Sequence, residues 1–287
     1  VSINDLGLVE TNAHLLQFDS VHGRFPRAVR SGADWIDAGT GPIRVTAERD
    51  PAALPWRDVD VALECTGVFT ARDKAALHLG NGARRVLVSA PASGADRTVV
   101  YGVNHGALVA EDLVVSNASC TTNALAPLAS VLDAAFGLRA GWMTTIHCYT
   151  GSQPTVDAAR GDPARSRAAA LSMVPTTTSA QRLLDRVLPH LAGRIEAAAV
   201  RVPVASVSAV DLVFQPARTV SIDEVNAVLR GAGGVIGWTD RPLVSSDLRG
   251  RDESIVMALP QTSLAGPGRA GEAAPGLVRV FGWYDNE

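Results

Sequence analysis

Lysine is nearly missing from this sequence. Lys74 is the single one in 287 residues, and arginine carries almost all of the positive charge. That bias reads as the product of GC-rich coding. Cysteine is scarce too: Cys65, Cys120 and Cys148 are too few to staple a fold and suit a reducing, cytoplasmic setting. No apolar run approaches the ~18 residues of a membrane-spanning helix, and no N-terminal targeting signal is visible. The net charge is −3, which gives no electrostatic footprint for nucleic acid. The histidines other than His147 (His14, His22, His78, His105 and His190) form no metal-ligand pattern with one another, so no metal is expected. They read as solvated or capping residues. A G-x-G-x-x-G phosphate-binding fingerprint is also lacking.

What is present is core-forming. Hydrophobic residues make up 47% of the chain and charged residues 19%, which argues for a sizeable core and against disorder. The first half alternates strand and helix signals. Glu10–Phe18 has helical spacing, with Thr11 or Asn12 near its start. Val59–Glu64 is strand-like, Ala71–Leu79 reads as a helix closed by Gly80-Asn81-Gly82, and Arg85–Ser89 and Leu113–Val115 are further strands. Strands separated by helices imply a parallel α/β sheet. Ligands of such sheets sit beyond the carboxyl ends of the strands. The turns expected there are Asn4-Asp5, Cys65-Thr66-Gly67, Ser89-Ala90-Pro91 and the one leading to Cys120.

The second half reads differently. Gly141–His147 is a strand, and Gly151–Ser172 a long polar loop. Ser179–Leu188 is a helix closed by Pro189. Ile195–Val202 and Val207–Phe214 read as antiparallel strands with a turn at residues 203–206. Ser221 and Glu224 form a capping box for a helix to Leu229. Leu277–Trp283 is a last strand, and Ala265–Gly276 an exposed Gly/Pro/Ala loop. The expected fold is therefore an incomplete α/β Rossmann-like dinucleotide-binding domain over 1–119, then an α+β catalytic domain with a largely antiparallel sheet over 120–287.

The chemistry concentrates at Ser116-Asn117-Ala118-Ser119-Cys120-Thr121-Thr122-Asn123. One cysteine lies between a strand-like run and a helix-like run, which puts it at a helix N-terminus. Unpaired N–H groups and the positive end of the helix dipole favour thiolate there. His147, 27 residues on, ends the next apolar stretch. The two read as nucleophile and base. Cys148 alternates to the other face of that strand and reads as packing.

The motif order resembles one family over essentially the whole chain. S-N-A-S-C-T-T-N at Cys120 is followed by T-I-H-C-Y-T-G at His147, R-A-A-A-L at Arg167, P-T-T-T at Pro175, R-V-P at Arg201, V-S-x-V-D-L at Val207 and W-Y-D-N-E at Trp283. The chain is similar to phosphorylating glyceraldehyde-3-phosphate dehydrogenases of bacterial type. The resemblance implies a Cys120 thiolate held as an ion pair by His147, its attack on an aldehyde, transfer of hydride to NAD as His147 accepts the hydroxyl proton, and a thioester cleaved by inorganic phosphate to an acyl phosphate. It implies that Thr150 and Arg201 hold the phosphate of glyceraldehyde 3-phosphate, and that Ser119, Thr121, Thr178 and Arg165 serve the attacking phosphate. Asp5 would accept the adenosine ribose hydroxyls, which favours NAD over NADP. Asn286 would bond the nicotinamide carboxamide, and Ser89 would lie by the cofactor. A cytoplasmic homotetramer is implied as well.

The sequence departs from the family pattern at Ser152 (usually Asp), Ser179 (usually Gly), Ala164 (usually Arg), residues 204–206, and Ala158-Ala159. Val1-Ser2-Ile3 reads as the end of a strand, and Asn286-Glu287 directly follow one. With the missing fingerprint and no C-terminal helix, the expectation is a fragment of a longer chain. The rivals are an erythrose-4-phosphate dehydrogenase, a cysteine protease using the same pair, and a degenerate non-catalytic paralogue.

Overall fold

The computed structural model describes residues 1–266 and 275–287; most of the predicted Gly/Pro/Ala loop lies outside them. Strand β1 (Ser2–Asn4) leads to helix α1 (Val9–Gln17) and a small hairpin of β2 (Phe18–Asp19) and β3 (Gly23–Arg24). Leu8 occupies the N-cap of α1 and makes no side-chain cap; Thr11 and Asn12 lie near the start of the helix, as expected. Strands β4 (Arg30–Ser31), β5 (Trp35–Asp37) and β6 (Ile43–Thr46) complete a sheet ordered β1-β6-β5-β4, in which β1 and β6 run parallel.

A second sheet, ordered β7-β8-β10-β9, is parallel throughout. It comprises β7 (Val59–Glu64), β8 (Ala83–Val88), β9 (Arg97–Thr98) and β10 (Val114–Ser116). The crossover from β7 to β8 is two short helices, α2 (Arg72–Ala75) and α3 (Leu77–Gly80), not the single helix expected. Gly82 ends it at φ +106°, and a Cβ there would meet the Trp56 carbonyl oxygen at 2.7 Å.

The remaining chain builds one large sheet on a helical layer. Helix α4 (Cys120–Phe136) precedes β11 (Leu138–Cys148), β12 (Val174–Thr176), α5 (Ala180–Val187), β13 (Ile195–Val202), β14 (Ser208–Pro216) and α6 (Ile222–Gly231). Strands β15 (Ile236–Thr239), β16 (Ile255–Ala258), β17 (Ser263–Ala265) and β18 (Leu277–Tyr284) follow. The order is β12-β13-β11-β14-β18-β16-β15, with β17 on β18. Most pairings are antiparallel, but β11 runs parallel to β13, and β15 to β16. The expected pairing of 195–202 with 207–214 does not occur. Those strands run in opposite directions, but β11 lies between them, and residues 203–207 pass over its end. A short turn between two runs signals a hairpin only when no third strand takes the place between them.

The core follows the two side-chain periods. Leu125, Leu128, Ala129 and Leu132 of α4 recur at helical spacing and are fully buried. They meet Met143 of β11, Leu212 and Phe214 of β14, and Val278 and Val280 of β18, alternate residues on one face of the sheet. The opposite face carries Trp142, 55% exposed, and Ile146. Ser221 and Glu224 form the expected capping box at the start of α6. Among the described residues no helix is long and apolar enough to cross a membrane.

Candidate active site

Three parallel strands end in register, at Glu64 of β7, Val88 of β8 and Ser116 of β10. Beyond Ser116 the chain turns sharply into α4. Ala118 stands at φ +58°, a left-handed conformation that a side chain disfavours. Hydrogen bonds hold it there. Ser116 Oγ accepts Ala118 N–H (3.2 Å) and Ala92 N–H (3.1 Å), and donates to the Ala90 carbonyl (2.9 Å). Asn123 Nδ2 donates to the carbonyls of Asn117 (2.8 Å) and Ser119 (3.0 Å). Ser119 is the N-cap of α4; its Oγ accepts Thr122 N–H at 3.2 Å. Cys120 thereby becomes the first residue of a 17-residue helix, over its unpaired N–H groups.

His147 reaches the thiol from β11. Cys120 Sγ and His147 Nε2 are 3.5 Å apart. His147 Nδ1 is 2.7 Å from the Cys148 carbonyl oxygen. A carbonyl only accepts, so Nδ1 carries the proton and Nε2 offers its lone pair to the thiol. Arg201, opposite His147 on the parallel neighbour β13, donates Nη1 to the same carbonyl (3.0 Å) and to Thr150 Oγ1 (3.2 Å). Thr150 Oγ1 lies 2.9 Å from Ser152 Oγ. A guanidinium and two hydroxyls thus cluster beside the thiol and the imidazole, a set of groups suited to an anion.

Burial sets the protonation of the pair. His147 is 6% exposed, and desolvation lowers its pKa to about 4, aided by the charge of Arg201 and opposed by the bond to Cys148. Burial pushes the Cys120 thiol up, while the Thr121 hydroxyl and N–H and the charge of Arg201 pull it down. Both shifts favour the neutral thiol and the neutral imidazole over the ion pair. This differs from the thiolate expected from the helix terminus, because desolvation outweighs the terminus.

Thr121 is turned inward. Its Oγ1 hydrogen-bonds Tyr284 Oη at 2.8 Å, and Thr145 Oγ1 bonds the same phenol at 2.8 Å. The Tyr284 ring meets the His147 ring edge-on at 6.0 Å. Tyr284 was missed in the sequence, although its inward position in β18 was the available signal: a buried tyrosine needs a partner for its hydroxyl. Cys148 is fully buried, but it does more than pack. Its Sγ–H donates to Asn286 Oδ1 at 2.9 Å, and its N–H to Ser208 Oγ at 3.1 Å. Thr178 Oγ1 accepts Ala180 N–H (3.1 Å) at the start of α5. Arg165 is exposed on the long loop and paired with Asp162 at 3.3 Å.

The predicted cofactor residues lie at strand ends. Asp5 follows β1, exposed, with Oδ1 accepting Gly7 N–H at 2.7 Å. Ser89 follows β8, exposed, and donates its N–H to the Glu64 carbonyl at 3.0 Å. Asn286 follows β18, and its Oδ1 accepts the Cys148 thiol at the end of β11. An exposed carboxylate and a fixed amide at such ends suit ribose hydroxyls and a carboxamide. His78 corrects the sequence reading: it is buried, not solvated, between Trp56 and Glu64.

The thiol–imidazole pair at a helix N-terminus, beside a guanidinium and hydroxyls and near parallel strand ends, suits a thiol-dependent enzyme of the dinucleotide-binding α/β class. Two family models match: glyceraldehyde 3-phosphate dehydrogenase, NAD binding domain, over residues 1–72, and the C-terminal domain of the same enzyme over 119–286. The glyceraldehyde-3-phosphate dehydrogenase of Cereibacter sphaeroides is 58% identical over 292 residues, that of Xanthobacter flavus 55% over 294, and that of Pseudomonas aeruginosa 49% over 292. Each alignment covers all of this chain and 85% of the relative. The chain belongs to the glyceraldehyde 3-phosphate dehydrogenase family, and it is an NAD-dependent oxidoreductase.

Proposed function

We propose that this chain oxidises glyceraldehyde 3-phosphate and phosphorylates the product to 1,3-bisphosphoglycerate. The observation that carries the reading is the 3.5 Å approach of Cys120 Sγ to His147 Nε2 beside Arg201 and Thr150. Cys120 attacks the aldehyde carbon as its proton passes to His147 Nε2, and the imidazolium returns that proton to the former carbonyl oxygen, giving a hemithioacetal and a neutral base. His147 then holds the hydroxyl proton as the carbon is oxidised to a thioester on Cys120. NAD, when bound, supplies the hydride acceptor. Asp5 and Asn286 are its proposed contacts at the two ends, with Ser89 between them.

Arg201, Thr150 and Ser152 are the proposed seat of the substrate phosphate. Ser119 and Thr178 are proposed for the attacking phosphate. Thr121 and Arg165 are the further candidates for that anion; in this structure Thr121 Oγ1 bonds Tyr284 Oη and Arg165 pairs with Asp162. The proposed division is an NAD-binding domain over 1–119 and a catalytic domain over 120–287. A homotetramer in the cytoplasm is proposed too, supported by exposed apolar side chains at Trp142, Leu171 (83%) and Met173 (74%).

The test is NADH formation from glyceraldehyde 3-phosphate with and without inorganic phosphate, and from erythrose 4-phosphate under both conditions. The expected result is phosphate-dependent turnover of the triose. Preference for the tetrose without phosphate dependence would replace this reading, and peptide cleavage without NAD would remove it.

A further inference from the structure

Glu64 is an acid where the pattern of its strand calls for an apolar residue. It faces inward on β7 with Ala62 and is 3% exposed. Its side chain is fully engaged. Oε1 accepts the N–H of Thr66 at 2.9 Å and also the Thr66 hydroxyl. Oε2 lies 3.0 Å from His78 Nε2. Trp56 Nε1–H donates to His78 Nδ1 at 2.8 Å. An indole only donates, so Nδ1 accepts, and Nε2 carries the proton that it gives to Glu64. The chain of bonds continues outward, because Thr66 Oγ1 accepts Val68 N–H at 3.1 Å. The Glu64 carbonyl accepts Ser89 N–H. One residue therefore clamps two neighbouring turns, 65–67 and 89–91, at the carboxyl edge of the parallel sheet. Gly67, at φ +71°, makes the first turn possible.

Burying a carboxylate under a helical crossover is unfavourable unless every lone pair finds a donor, and an apolar residue of similar size stabilises such a site as well or better. Glu64 does not gain its place by stability alone. Its donors converge on an exposed backbone turn where dinucleotides bind in sheets of this kind. We propose that Glu64, held by His78 and Trp56, is a positioning residue that fixes the 65–68 turn for NAD. The inference rests on the reading of this chain as an NAD enzyme and names residues of that site which the motifs do not contain.

The test compares Glu64→Gln, His78→Gln and Thr66→Val with Thr66→Ser, using calorimetric NAD affinity, amide hydrogen exchange in the protein without NAD, and the alkylation rate of Cys120. Losing one hydrogen bond to a charged acceptor predicts NAD affinity weaker by about tenfold. Exchange at Thr66 and Val68 accelerates, while Cys120 alkylation is unchanged. Thr66→Ser keeps the hydroxyl and retains the wild-type affinity. Thr66 is exposed, so Thr66→Val reports even if the buried variants fail to fold. In steady state, KM for NAD rises and kcat holds. Wild-type protein that binds NAD while Thr66→Val binds it as tightly overturns the proposal alone. Wild-type protein that binds no NAD overturns the underlying reading, and the proposal with it.

Discussion

His147 gives a pH dependence that can be worked through from the structure. A free imidazole titrates near 6.5, and burial lowers this one to about 4. Between those values the unfolded chain binds a proton that the folded chain refuses. The linkage slope is positive wherever the unfolded state binds more protons, so stability falls as pH drops from 6.5 toward 4 and levels off below. A depression of about 2.5 units at about 1.4 kcal/mol per unit predicts a loss of about 3 kcal/mol from this residue between pH 7 and pH 4. Other groups titrate in the same range, so the quantity to measure is a difference. Urea unfolding of wild type and His147→Asn, followed from pH 7 to pH 4, isolates it: the wild type loses about 3 kcal/mol more than the variant. An NMR titration of the ring, assigned by its disappearance in the variant, reads the same property directly. Parallel stability curves, or a ring that titrates near 6.5, refute the argument that desolvation keeps this base neutral.

Three further outcomes are expected. Cys120→Ser abolishes acyl-enzyme formation, measured as the NADH burst in a single turnover, while circular dichroism stays unchanged. Arg201→Leu raises KM for glyceraldehyde 3-phosphate at least roughly tenfold, the worth of a charge-assisted hydrogen bond, and leaves KM for unphosphorylated glyceraldehyde unmoved. Tyr284→Phe removes the partner shared by two buried hydroxyls, at Thr121 and Thr145, and lowers unfolding stability by about 1–3 kcal/mol, read from the denaturation midpoint.

Local chemistry was legible in the sequence; non-local arrangement was not. Cys120 between a strand-like and a helix-like run announced a thiol at a helix N-terminus, and Ser221 with Glu224 announced the capping box. Both follow from contacts within four residues. The neighbours of β13 did not follow, because β11 comes earlier in the chain and inserts between β13 and β14 only when the sheet assembles. Distance along the chain also hid Trp56, His78 and Glu64, which meet across 22 and 14 residues, and Tyr284, which reaches Thr121 across 163. The burial that raises the Cys120 thiol was hidden for a related reason. The helix terminus can be read locally, whereas the desolvation that opposes it comes from the whole fold.

The Cys148 carbonyl accepts from both His147 and Arg201, so the proposed base and the cation proposed to seat the substrate share a tether. An anion that neutralises the guanidinium removes one of the influences lowering the basicity of the imidazole. Proton affinity at His147 then rises with occupancy, leaving the empty enzyme with a weak base and the loaded one with a stronger base. Adding inorganic phosphate during the ring titration makes this visible as a midpoint displaced upward, a displacement that Arg201→Leu abolishes.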